Sequence, residues 1–240
     1  PLTVVLVPGA FHTKAHWLPF GKILEAAGHS VVYPELPAQD PNGSFEDDTE
    51  AVKKAITGLS NILIMFHSRG TETARLLASE DLERFVGAII LSSGGPHAYQ
   101  LDPSFPEADM PRYTDEYQSI ISQKPNNMTG IDKERAGFFL YHDVEDEAIK
   151  QQAVDDLQDQ RNSTTDTSPV YTLPTQDLAI EVWLGIRDRI LTTPRAVRVW
   201  KEFANITPEP LPSGHTPQLS IINYLFRRTI HFANQARKTK

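Results

Sequence analysis

The chain has 240 residues, no cysteine, 40% hydrophobic and 22% charged residues, and a formal net charge of −8. That size suits one α/β domain or two small ones, with enough apolar material for a sizeable core. The acidic balance argues against nucleic acid or an anionic membrane as partner, and the missing thiols exclude disulfides, thiolate metal sites and a cysteine nucleophile.

The N-terminal stretch PLTVVLVPGAF reads as a first strand over residues 2–7, closed by Pro8-Gly9. It is too short and lacks the basic lead-in of a signal peptide. No apolar run approaches the roughly 18 residues of a membrane span, so a cytoplasmic protein is the expectation. Residues 15–27 carry Trp17, Leu18, Ile23, Leu24 and Ala27 on roughly one helical face, with Gly28 as C-cap. A second strand is expected at 30–33, a helix at 46–58, a third strand at 62–66, a helix at 71–79 and a fourth strand at 86–91. Strand, helix, strand at this rhythm means βαβ units and a parallel sheet. The runs ILIMF and VGAIIL are apolar throughout, as expected where helices cover both faces.

The rhythm stops near Gly94-Gly95-Pro96. Residues 97–175 are richer in Pro, Asp, Gln and Asn, and helical patterns appear at 110–122, 132–139 and 145–158, with no convincing strand. The sheet then resumes with a strand at 178–184, a helix at 194–203 and a C-terminal helix at 217–232. The expected fold is α/β: a mostly parallel central sheet flanked by helices, with a core formed by 1–96 and 176–240 and a helical cap insertion at 97–175.

The stretch FHSRG, residues 66–70, delivers Ser68 from a strand end to a sharp turn. A nucleophilic serine needs exposure, a base within reach, and donors for the oxyanion formed on attack. The new helix's N-terminus points amides and a positive dipole end at that spot. Gly70 provides the close approach of strand and helix that such a turn needs; Phe66 does not, so FHSRG is half of G-x-S-x-G. Taken alone it fits a helix N-cap as well as a nucleophile. Further on, Asp188 in GIRDRIL sits just past a strand end, and His215 in LPSGHTPQ lies in a Gly/Pro turn before the last helix. The order Ser, Asp, His is that of α/β-hydrolases and differs from that of chymotrypsin-like or subtilisin-like enzymes. All three lie at C-terminal ends of expected strands, where parallel sheets place their sites.

On the stretches VVLVPGAFHTKAHW, FHSRG, LGIRDRI and SGHTP, the chain resembles a compact member of the α/β-hydrolase superfamily, similar to its small esterase and hydroxynitrile-lyase-like group. The resemblance implies Ser68 as nucleophile, His215 as general base and Asp188 as the carboxylate orienting the imidazole. It implies an oxyanion hole from the backbone amides of Arg69 and of Ala10 or Phe11. Such chemistry needs no metal, nucleotide or flavin, and no G-x-G-x-x-G, P-loop or H-E-x-x-H motif suggests one. His12, in the oxyanion loop, is placed to touch a substrate. His16 is expected to pack beside Trp17, and His67 under the turn. The cluster around Phe138 and Tyr141 either lines the pocket or holds the cap on the core. Asp143–Glu147 reads as a solvated helix start.

The resulting expectation is a serine hydrolase acting on a small carboxylic ester, with a lactone or thioester suited to the same machinery. A homodimer is compatible with this reading. The cyanogenic lyases of the group carry a lysine soon after the triad histidine; Thr216-Pro217-Gln218 stands there instead. A cofactor-free dioxygenase would look much the same in sequence. Phe66, crowding the elbow, favours a catalytically weak ligand-binding protein on the same scaffold.

Overall fold

The computed structural model describes residues 1–97 and 112–238. Residues 98–111 of the expected insertion, including the start of the pattern at 110–122, and residues 239–240 lie outside it.

Six strands form the central sheet: β1 (Thr3–Val7), β2 (Ser30–Val32), β3 (Ile62–His67), β4 (Phe85–Leu91), β8 (Ile180–Gly185) and β9 (Glu209–Leu211). Their spatial order is β2-β1-β3-β4-β8-β9, every pair parallel. β3 and β4 are buried at every position, because alternate side chains feed two separate cores. Val5, Val7, Ile64, Phe66 and Ile90 face one of them, together with Val52 and Ile56 of the Phe45–Ala55 helix segment and Trp200 of helix Thr193–Ala204. Leu6, Leu63, Met65, Ile89 and Trp183 face the other, with Phe20 and Leu24 of helix Leu18–Ala26 and Phe232 of helix Ile222–Ala236. Each aliphatic side chain fully buried in this way contributes about 1.5–3 kcal/mol. Among the described residues, no helix is long and apolar enough to cross a membrane.

The sequence leads to a helix over 71–79, and the chain there is a 3-10 coil spanning Ser68–Ala78. The tighter winding has local causes: Thr73 Oγ1 donates to the Gly70 carbonyl at 2.8 Å and Arg75 Nε to the Glu72 carbonyl at 2.9 Å, both three residues back. The C-terminal helix is broken at Ile221 into Pro217–Ser220 and Ile222–Ala236. β9 was unforeseen: it is three residues long, contains Pro210, and survives as an edge strand, where a missing N–H is tolerated.

The expectation of a strand-free insertion is also corrected. β5 (Ile121–Lys124), β6 (Met128–Ile131) and β7 (Gln160–Arg161) form a second, antiparallel sheet. The first two are joined through Asn126 and Asn127, both at positive φ (59° and 58°), the conformation hairpin turns demand. The polar, exposed ISQK strand carries no alternation to betray it. Helices Lys133–Leu140 and Glu147–Asp155 pack beside this sheet, and Asp115–Gln118 is a single turn. The apolar cluster of this region takes in Phe11 and Ile190 from loops of the central sheet and Leu219 from the short helix Pro217–Ser220.

Gly70 marks a close contact in the fold's centre. A Cβ there would stand 2.5 Å from the Pro8 carbonyl oxygen, so only glycine lets the elbow coil cross β1's end. Gly70→Ala is expected to destabilise the protein by about 1–3 kcal/mol in urea unfolding; an unchanged midpoint would contradict this packing.

Candidate active site

The four segments singled out in the sequence converge at the C-terminal edge of the parallel sheet. β1 ends in Pro8-Gly9-Ala10, β3 in Ser68, β8 in the loop bearing Asp188, and β9 in the loop bearing His215. Ser68 is half-buried and adopts φ +49°, a left-handed conformation that costs about 1–2 kcal/mol for a residue with a Cβ and clusters at functional turns. Its Oγ lies 3.0 Å from His215 Nε2, and His215 Nδ1 lies 2.7 Å from Asp188 Oδ2. The other Asp188 oxygen accepts from the amides of Ile190 (2.8 Å) and Leu191 (3.1 Å), which fixes the carboxylate. Asp188 at Nδ1 directs that proton outward to the acid and leaves Nε2 to accept from the serine hydroxyl.

Phe66 does not crowd this arrangement. Its ring is fully buried in the core cluster that includes Ala74 and Leu77 of the elbow coil, while Ser68 turns to the sheet edge. Ser92, after β4, shares the left-handed geometry (φ +48°), but its fully buried Oγ has no hydrogen-bond partner among the described residues.

The Ala10 amide, in the loop after β1, has no partner among the described residues, and the Arg69 amide follows Ser68 at the head of the 3-10 coil. Phe11, the other expected donor, is different: its N–H donates to Gln160 Oε1 at 3.0 Å. The Arg69 side chain runs inward, pairing with Asp48 at 3.0 Å, and Asp48 also receives Arg161 at 2.8 Å. Burial pulls the Arg69 guanidinium below its ordinary range, opposed by Asp48.

His12 is buried, its Nδ1 donating to the Ala10 carbonyl at 2.6 Å and its Nε2 accepting from Tyr141 Oη at 2.9 Å. Tyr141 is fully buried, so it braces the loop from the insertion and offers no free surface. Phe138 points elsewhere: its ring is 60% exposed under the Arg189 guanidinium, 4.2 Å from the ring centre, in an outer groove with Lys133, Lys150 and Asp155. Phe138 thus lies apart from the residues gathered around Ser68 and lines a different groove. His16 reaches the Ala153 carbonyl through Nε2 (2.9 Å), and His67 donates from Nε2 to the His215 carbonyl (2.9 Å). Burial lowers the pKa of His12, His16 and His67, for His12 and His67 well below the ordinary 6.5, so these rings are neutral.

Sequence reasoning missed two supports. Asp143, expected on a solvated helix start, is buried and accepts from the Gly214 amide at 2.6 Å. On the other side of the histidine, Thr216 Oγ1 donates to the Leu140 carbonyl at 2.6 Å. His215 is thus bracketed by the insertion. A lone acid in an acidic run carries no signal for such a role. Among the described residues no cluster of three or more His, Asp or Glu could hold a metal.

A parallel sheet that brings a serine, an acid and a histidine, in that chain order, to strand ends on one edge defines an α/β-hydrolase architecture. The sequence agrees: residues 4–220 match the alpha/beta hydrolase family, and the chain belongs to it. Among solved structures it is similar to a pyrethroid hydrolase from Sphingobium faniae (TM-score 0.75, 20% identity, 97% of each chain). It is similar also to polyneuridine aldehyde esterase (0.74, 14%, 97% of this chain and 99% of that one). A methylesterase from Arabidopsis has the same fold (0.71, 15%, 96% and 98%). No curated protein matches the chain.

Four buried histidines with lowered pKa set a pH dependence, His97 being brought down to about 4 by burial and the neighbouring Arg112. As pH falls through 6.5 the unfolded chain takes up protons that the folded chain refuses, so stability is full above that value and lost below it. Glu72, whose carboxyl is pushed up by burial, acts in the opposite sense, but as one group against four. The thermal midpoint should fall between pH 7.5 and pH 5, and less so in His67→Gln. An equal midpoint at both pH values would mean the rings are not buried neutral.

Proposed function

We propose that this protein hydrolyses small carboxylic esters through an acyl-enzyme on Ser68. The observation that carries this reading is the 3.0 Å contact between Ser68 Oγ and His215 Nε2 on a left-handed turn, with Asp188 at 2.7 Å behind the imidazole. The family membership and the esterases among the similar structures support ester hydrolysis as the reaction class.

In this reading His215 Nε2 takes the hydroxyl proton as Ser68 Oγ bonds to the ester carbonyl carbon. The carbonyl oxygen becomes an oxyanion held by the amides of Ala10 and Arg69. Collapse expels the alcohol, which leaves with the proton from His215, and the acyl group stays on Ser68. Water then gives a proton to the same nitrogen as it attacks the acyl carbon; collapse breaks the bond to Ser68 Oγ, which takes that proton from His215, and a free carboxylic acid leaves. Asp188 orients the ring and stabilises its charged form without taking the proton.

A cleft of about 430 Å³ opens beside Gly9 and His12, with Leu18, Pro34, Leu36 and Ala38 in its wall and the Lys14–Glu35 ion pair (2.9 Å) at one side. Phe66 lends no support to a ligand-binding protein without catalysis, because its ring leaves Ser68 free to meet His215.

An activated fluorophosphonate should label Ser68, and p-nitrophenyl acetate should be turned over. Ser68→Ala and His215→Ala are each expected to cost about 10⁴–10⁶ in kcat, and Asp188→Asn about 10⁴. Labelling at another residue, or full activity in Ser68→Ala, would overturn the reading.

A further inference from the structure

The loop after β1 contains two successive amides that could turn toward an oxyanion, those of Ala10 and Phe11. The structure commits one of them elsewhere. The Phe11 N–H is held by Gln160 Oε1 at 3.0 Å, across 149 positions of sequence. The Phe11 carbonyl, on the residue's other side, accepts from the Gln158 amide at 2.9 Å. One short segment of the insertion therefore grips both peptide groups that flank Phe11.

That grip coincides with a backbone that resists its own conformation. Phe11 adopts φ +62°, which a residue with a bulky side chain rarely does without being held there. The two hydrogen bonds, and burial of the ring among Tyr141, Leu140 and Leu219, do the holding. His12 Nδ1 adds a third constraint one residue earlier, at the Ala10 carbonyl. With Phe11 fixed in the left-handed region and its own amide drawn aside, the preceding peptide keeps its N–H unpartnered beside Ser68. A Cβ at Gly9 would lie 3.0 Å from the Ser68 Cβ, which shows how closely the loop approaches the serine.

Gln160 is suited to this task. It is buried, and β7 holds its backbone against Thr129 of β6, so its amide projects from a hydrogen-bonded strand. The adjacent Arg161 anchors the same strand to Asp48, and the Arg161 amide donates to the Ala38 carbonyl at 2.7 Å.

We infer that Gln160 is a positioning residue for the oxyanion hole: by taking the Phe11 amide it holds the loop in the conformation that presents the Ala10 amide, paired with that of Arg69, to the reacting carbonyl. This rests on the proposal that Ser68 is the nucleophile. It goes beyond that proposal by assigning an electrostatic function to a residue that touches neither substrate nor any of Ser68, His215 and Asp188. A displaced donor fails in the transition state, where the oxyanion is fully formed, and is felt little in ground-state binding.

The test uses the full chain and Gln160→Leu, which keeps much of the volume and removes the acceptor. Expected is a fall in kcat of about 10²-fold with KM changed less than about threefold, since displacements of about 1 Å cost that much. The affinity for phenylboronic acid, which forms a tetrahedral adduct on the serine, should fall in parallel. If Gln160→Leu does not fold, Gln160→Asn, which retains the amide but falls short by one methylene, is read in the same way. Unchanged kcat and boronate affinity in the folded variant, or a loss confined to KM or to the thermal midpoint, would overturn the inference. Failure of fluorophosphonate to label wild-type Ser68 would instead strike the proposal on which it rests.

Discussion

The site depends on a single steric bargain at the end of β3. Ser68 leaves the strand in a left-handed conformation, and the chain can continue only because Gly70 presents no Cβ to the Pro8 carbonyl. Strand β1 pairs with β3 in parallel register up to Val7 and Phe66, so the loop that follows β1 must pass directly over the serine. Close approach at that point places the backbone of the loop after β1 and the hydroxyl in one small volume. The parallel order of the sheet then brings the loops after β8 and β9 to the same edge, and the Asp188–His215 contact closes the arrangement.

Around that centre, segment 112–175 serves less as a lid than as a frame. It reaches the oxyanion loop through Gln158, Gln160 and Tyr141, and the histidine loop through Asp143 and Leu140. These contacts fall on backbone groups of Phe11 and Gly214 and on the side chains of His12 and Thr216. Loops that would otherwise be free to move are thereby held by groups from a distant part of the chain, as preorganised electrostatics requires.

The parallel sheet was legible because β1, β3 and β4 are nearly unbroken apolar runs punctuated by glycine, proline and helical patterns. The meeting of Ser68, Asp188 and His215 was legible because the first two follow such runs, and His215 stands in a Gly/Pro turn in a telling chain order. The frame was not. Gln160 and Arg161 belong to a strand of two residues, too short for any period to register, and their partners lie more than a hundred positions away. Asp143 sits in a run of acids that differ only in what surrounds them after folding. Phe138 misled for the converse reason: an aromatic cluster suggests a pocket wall, yet in a helix its members point in different directions, and Tyr141 went inward while Phe138 went out. Phe66 looked like an obstacle because position within a motif says nothing of which face of the strand a ring will take.

Asp48 has a consequence for motion. It is buried and shared by Arg69, the residue after Ser68, and Arg161, on β7. Separating β7 from the core would take Arg161 away from Asp48 and leave that carboxylate to Arg69 alone. The elbow and the small sheet are therefore tied to each other through one shared carboxylate.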